Sequence, residues 1–201
     1  SAVQDKDFEA LPDYMRAAAR EAFETLLHTK DGQLCDMLVD RAALDAVYQA
    51  GQRAKTPALK DYAESMVAAA DIRIAARCQK TGKTEDFIRR ALAPCASLSV
   101  EELAGAAASG EQELSAFLKS TVYAEAADAL DISQSEFDRW CDNRVIEAIK
   151  PQKYNPFSAG PIAAYALARE NEIKTVRIIL SGKRVGMPEA SIRERIREMY
   201  V

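Results

Sequence analysis

Residues 56–82, TPALKDYAESMVAAADIRIAARCQKTG, decide the fold. Leu59, Tyr62, Met66, Ala69, Ile72 and Ala76 recur at intervals of three and four, which puts them on one face of an α-helix. Thr56-Pro57 supplies the start, because a first turn leaves its N–H groups without intrahelical partners and loses nothing to proline, and Gly82 supplies the stop. The same period extends outward in both directions. Toward the N-terminus, Leu11, Met15, Ala18, Ala22 and Leu26 predict an amphipathic helix broken at Asp31-Gly32, and Leu34, Met37, Leu38, Leu44, Val47 and Tyr48 predict another that runs to the Gly51 region. Toward the C-terminus, Glu85 to Leu92 reads as a short helix with Phe87, Ile88 and Leu92 inward, stopped by Pro94. Ser99-x-x-Glu102 and Ser133-x-x-Glu136 are capping boxes, each opening a helix. Gly105 or Gly110 closes the first of these. A single helix is expected over residues 111–129 with Leu114, Phe117, Leu118, Val122 and Ala126 inward. Phe137, Trp140, Val145, Ile146 and Ile149 follow in the next, ended by Pro151. Ile162, Ala166, Ile173, Val176 and Leu180 form the stripe of a long helix expected to end at Ser181-Gly182, and Pro188 and Glu189 suit the first turn of a closing helix carrying Ile192, Ile196 and Met199. No segment sustains period-two alternation, so the fold class is all-α.

The composition agrees. Of 201 residues 48% are hydrophobic and 29% charged, with 8 Gly and 7 Pro, and alanine, the strongest helix former, is abundant. A chain of this length buries a core without disulfides or metal staples. The net charge of −4 argues against nonspecific nucleic-acid binding, which needs clustered Lys and Arg to release phosphate counterions. Cys35, Cys78, Cys95 and Cys141 are widely spaced, with no C-x-x-C pair, and are expected reduced. No window approaches the roughly 20 apolar residues that span a bilayer.

Catalytic patterns are sparse. His28 is the sole histidine, which excludes a His-rich metal site, and it reads as a solvated residue at a helix C-terminus. Gly82-Lys83-Thr84 has the ending of a phosphate-binding loop, but the position of the first glycine is Arg77 and the fragment follows a helix, so it reads as a helix cap. Glu101-Glu102 and Glu170 with Glu172 read as surface charges, Glu170 being placed to pair with Lys174, and Trp140 as core or interface.

The chain also repeats itself. Asp36 and Asp40 match Asp138 and Asp142; Tyr62 matches Tyr165; Asp71-Ile72-Arg73 matches Glu172-Ile173-Lys174; Gly82-Lys83 matches Gly182-Lys183; Ile88-Arg89 matches Ile192-Arg193. Two copies of one helical domain are expected, residues 1–100 and 101–201, which suits an adaptor or a ring-like body better than a single-pocket enzyme.

From Phe157 the sequence runs through AAYALARENEI (163–173), VRII (176–179), Gly182-Lys183 and Ile192-Arg193-Glu194-Arg195 to a final Tyr200-Val201. This segment resembles the C-terminal signature of the C-subunit family of V-type and archaeal A-type ATP synthases, whose eukaryotic relative is called the d-subunit. The matching positions are Tyr165, Glu170, Glu172, Ile173, Arg177, Gly182, Lys183, Ile192, Arg193 and Tyr200, with Arg169 where the family has Lys. Ala70 to Arg73 and Arg77 are similar, with departures, to an earlier element of the family. The resemblance implies part of a funnel of three similar helical domains about a pseudo-threefold axis, with roughly the first third of the family's chain not included in this one, which opens on Ser1. It implies a non-catalytic central-stalk component without cofactors, cytoplasmic and peripheral to the membrane. Such a component receives the axle subunits of a rotary ATPase and rests on the proton- or sodium-carrying rotor ring. Lys174, Arg177, Arg184, Arg193 and Arg197 are the candidate charges for docking an acidic partner, with a solvated, self-paired surface as the plainer reading. A free-standing helical adaptor and a carboxylate hydrolase remain as other readings.

Overall fold

In the computed structural model, which describes residues 5–200, the chain is all-helical, with no strand among the described residues. Ser1 and the final Val201 of the quoted signature lie outside that range. A 3-10 turn at Phe8–Ala10 precedes α1 (Asp13–Thr29), α2 (Gly32–Arg53), α3 (Pro57–Lys80), α4 (Glu85–Ala91), α5 (Val100–Ser109), α6 (Glu111–Lys119), α7 (Ala124–Ile132) and α8 (Gln134–Ile149). A second 3-10 turn, Lys150–Tyr154, leads to α9 (Gly160–Arg184) and α10 (Glu189–Glu194). The starts follow the local chemistry: Asp31 accepts the Gln33 and Leu34 N–H groups, Thr84 that of Phe87, Ser99 that of Glu102 and Ser133 that of Glu136.

The helix read first is the centre of the molecule. Val67, Ala68, Ile72 and Ala75 of α3 are fully buried, and α2, α5 and α8 all pack directly on this helix. Its alanines let neighbours approach closely; a Cβ on Gly51 of α2 would fall 2.2 Å from that of Ala63. The main core continues through Ile88, Leu92, Leu103, Leu118, Tyr123 and Phe137. Two polar anchors lie beside it. Asp71 accepts the Ala93 N–H at 3.0 Å and fixes the chain after α4. Glu64 accepts the Ser97 hydroxyl at 2.5 Å and its N–H at 2.8 Å, which leaves the Tyr123 hydroxyl to donate to Ser97 at 2.7 Å.

Four expectations change. The helix expected over 111–129 is split into α6 and α7. Ser120 and Thr121 donate their hydroxyls to the Phe117 and Leu118 carbonyls, and Thr121 accepts the Tyr123 N–H, so the backbone turns. Tyr123 enters the core there, and Val122, expected inward, is exposed. The stripe of α1 borders an open apolar groove of about 350 Å³ between α1 and α2, with Ala22 alone of its members buried. The long C-terminal helix runs past Gly182 to Arg184, and Gly186, at φ +71, makes the turn that ends it. Its buried face is Ala164, Ala168, Asn171 and Thr175, whereas Ile162, Ile173, Val176 and Leu180 of the expected stripe are exposed. Small residues won that face because α9 lies close on α8, where Ile146 and Ile149 meet Ala164.

Candidate functional site

The C-terminal segment is strapped down by side chains that reach across α8 and α9. Arg197, only 10% exposed, donates from Nε to Asp142 Oδ2 at 2.6 Å. One turn of backbone is then held from both sides: the Glu198 N–H donates to Asn143 Oδ1 at 2.8 Å, and Asn171 Nδ2 donates to the Glu198 carbonyl at 2.7 Å. Lys150 pairs with the Glu198 carboxylate, and Tyr200 packs with Ile146, Ile149 and Leu167 under the Lys153 ammonium, 4.9 Å from its ring centre. Asp142 is the hub of a wider node. Arg73 of α3 lies 3.8 Å from it and 3.3 Å from Asp138, its Nε near the Asp138 carboxylate but off the hydrogen-bond direction, and Lys174 of α9 is 3.9 Å away. Three cations against two carboxylates thus bind α3, α8, α9 and the tail together.

The predicted residues divide between this strap and the surface. Gly182 is buried at the one place where α10 crosses α9: a Cβ there would come 2.8 Å from Ile192 Cγ1, and Ile192 is itself buried. Tyr200 belongs to the strap. Tyr165, Glu170, Ile173, Arg177 and Lys183 point outward. Glu172 pairs with Arg169, and Lys174 turns to Asp142, so the expected pairing of Glu170 with Lys174 is replaced by these two. Of the candidate docking charges, Arg193 is held by Glu189 of its own helix, and its guanidinium keeps the Glu189 carboxyl below its ordinary range. Arg197 is engaged in the strap. Arg177 and Arg184 are exposed with no ion pair among the described residues, and Arg177 and Arg195 border an open cleft of about 550 Å³ between α8, α9 and residues 187–197.

Elsewhere Gly82, at φ +63, caps α3: its N–H reaches the Gln79 carbonyl and that of Lys83 the Cys78 carbonyl. Lys83 reaches Gln33 at 2.7 Å, and Thr84 caps α4, so the Gly-Lys-Thr fragment joins two helices. His28 is exposed in the last turn of α1. Among the described residues no group of His, Cys, Asp and Glu is placed to hold a metal ion, and no helix is long and apolar enough to cross a membrane. Asn143 and Asn171 escaped the sequence reading; Asn171 lies inside the quoted signature, but nothing in its spacing marks a partner 27 residues away.

The family model described as ATP synthase (C/AC39) subunit matches residues 1–195. The chain belongs to that family. Within curated proteins, the C-subunit of a V-type sodium ATPase from Enterococcus hirae is 24% identical over 199 residues, covering 94% of this chain and 59% of that protein. The chain therefore spans about 59% of the length of this relative. No solved structure matches it. For a member of this family, the observed geometry separates two kinds of signature residue: Gly182, Ile192 and Tyr200 hold the end of the chain together, and Ile173, Arg177 and Lys183 are left on its surface.

Proposed function

We propose that this chain is part of a non-catalytic central-stalk component of a rotary V-type or A-type ATPase, coupling the central axle to the ion-carrying ring of the membrane. The family match along nearly the whole chain carries the reading, supported by the relative's place in a V-type sodium ATPase. In this role the protein makes and breaks no bond; it transmits torque between the nucleotide-processing head and the ring, and it is peripheral to the membrane on the cytoplasmic side. Its two helical halves, residues 1–100 and 101–201, act as two domains of a funnel. Arg177 and Arg184 are the basic residues offered to an acidic partner, Lys174 being turned to Asp142, and electrostatic attraction of this kind steers association and sets register more than it adds affinity. The test is co-purification of the chain, within its full-length protein, with the axle subunits and the detergent-solubilised ring from the same cell, at low and high salt. Retention that weakens as salt screens the charges supports the reading. Failure to hold either partner at low salt refutes it.

A further inference from the structure

Residues 196–200 have no regular structure, and past the Ile196 N–H no backbone group of this segment bonds to another backbone group among the described residues. Side chains of α8 and α9 hold it instead. At Glu198 the main chain is read on both edges: its N–H donates to Asn143 Oδ1 at 2.8 Å, and its carbonyl accepts from Asn171 Nδ2 at 2.7 Å. Asn171 is 5% exposed and lies in the middle of α9, so its amide has left water for the main chain of a segment 27 residues away. Asparagine suits neither a helix interior nor a core, and the bond to Glu198 is the use this position makes of it.

Three side chains of the segment have receptors of their own. Arg197 meets Asp142 at 2.6 Å, the Glu198 carboxylate pairs with Lys150, and Tyr200 packs on Ile146 and Ile149. This is the arrangement of peptide recognition, in which main-chain hydrogen bonds supply a hold common to any sequence and receptors for single side chains supply the selectivity. The segment 92–98, which follows α4 as residues 195–200 follow α10, is held differently. Its Leu92, Ala93 and Leu98 are exposed by 0%, 0% and 5%, with Leu92 and Leu98 in the main core, and the bonds to Asp71 and Glu64 only add to that. In residues 196–200 Glu198 is exposed, Met199 is 44% exposed and Tyr200 is half-buried. Their hold is mainly polar and confined to one surface, so they can leave it without opening a core.

We propose that this α8/α9 surface is a peptide-recognition site with residues 197–200 as its resident ligand: in exchange for them it takes a separate extended peptide carrying an arginine, an acidic residue next to it, and an aromatic residue three positions after the arginine. Asp142 receives the arginine, Lys150 the acid, Ile146 and Ile149 the ring, and the two asparagines the main chain between them. The resident segment, being attached, competes at a high effective concentration and keeps the site closed to weaker peptides. This does not rest on the coupling reading, and either can fail alone, because the assay contains no axle or ring.

The test uses the whole chain with its own segment disabled by Arg197→Ala and Tyr200→Ala together, and a fluorescent, end-capped peptide of residues 195–200 followed by anisotropy. Saturable binding is expected, at least about tenfold tighter than to the unaltered chain, lost with a scrambled peptide and weakened about tenfold or more by Asn171→Leu in the same background. Circular dichroism checks that each variant is folded. In the unaltered chain, millimolar peptide should speed hydrogen exchange at the Glu198 N–H by displacing the resident segment, and this measurement decides alone where the double variant unfolds. A folded double variant that leaves the peptide free overturns the inference. So does binding indifferent to scrambling or to Asn171→Leu, and so does Glu198 exchange that millimolar peptide leaves unchanged.

Discussion

Replacing Asp71 by Asn should remove most of the pH dependence of stability between pH 5 and 8. The carboxyl sits in the α3 core at 1% exposure, and burial raises it from 3.8 to about 7; the Ala93 N–H draws it back in part, Asp45 pushes it further up, and Arg41 draws it down. An unfolded chain releases this proton near the ordinary carboxylate value, whereas the folded chain keeps it to about 7. Unfolding between these limits therefore releases a proton, and stability falls as pH rises, by about 1.4 kcal/mol per unit. Full stability is present below the unfolded value and the loss is complete above the folded one. From pH 5 to 8 the span is about two units, or about 3 kcal/mol lost by the wild type. In Asp71→Asn the amide oxygen can still accept the Ala93 N–H, and the NH2 replaces the neutral O–H, so the variant should match the wild type at pH 5 within about 1 kcal/mol. At pH 8 it should be more stable by about 3 kcal/mol, equivalent to roughly 6–12 °C in Tm for a chain of this size. Urea melts followed by circular dichroism across this range measure the difference. Curves for the two proteins that stay parallel with pH would refute the account of Asp71 as a neutral, buried acid.

Arg197→Ala should destabilise by about 2 kcal/mol, and Asp142→Ala by more, because the first leaves one partner of a partly buried pair and the second leaves three cations facing one another. Both should speed hydrogen exchange at Glu198, whose N–H and carbonyl are held in the strap. Gly182→Leu should cost about 1–3 kcal/mol and loosen α10, since no side chain fits between α9 and Ile192. Thiol labelling at pH 8 should modify Cys35 first: burial pushes the half-buried Cys95 up to about 11, so it should react slowly, and Cys78 and Cys141 are buried, Cys141 being pushed up to about 12, so these two should react only on unfolding. Fast labelling of Cys141 would show that α8 opens away from α3.

The sequence made most of the helices legible because their starts are local. A capping Ser or Asp needs only the next three residues to act, and proline needs only its own ring, so α2, α3, α5 and α8 begin near where the pattern places them. It failed where the outcome depended on distant groups. Val122 and Tyr123 are both apolar enough for the core, and the hydroxyls of Ser120 and Thr121 turn the chain so that only Tyr123 enters. In α9 both faces carry usable apolar residues, and period alone cannot say which face meets α8. The candidate site was half visible: the signature singled out Gly182, Ile192 and Tyr200, but the hub at Asp142 needs three helices in place before its spacing means anything. Within the repeat, the match of Gly82 with Gly182 fails for a related reason. Gly-Lys occurs twice in similar settings, but Gly82 ends a helix and Gly182 packs inside one, a difference of φ and burial that residue type does not carry.

The exposed ridge of α9 has a physical consequence separate from the fold. Ile173, Val176 and Leu180 stabilise the chain little, because burial rather than apolar character supplies the free energy, and these residues are 48%, 52% and 62% exposed. The helix they stand on is already held by Ala164, Ala168, Asn171 and the strap over Glu198. Val176→Asp should therefore leave the unfolding free energy within about 0.5 kcal/mol of wild type. The same change places a carboxylate in the middle of the ridge, where any apolar partner must desolvate it at a cost of several kcal/mol. A variant as stable as the parent shows that the ridge adds little to the fold; one that unfolds more readily shows instead that α9 is buried against its own chain more deeply than its exposed face indicates.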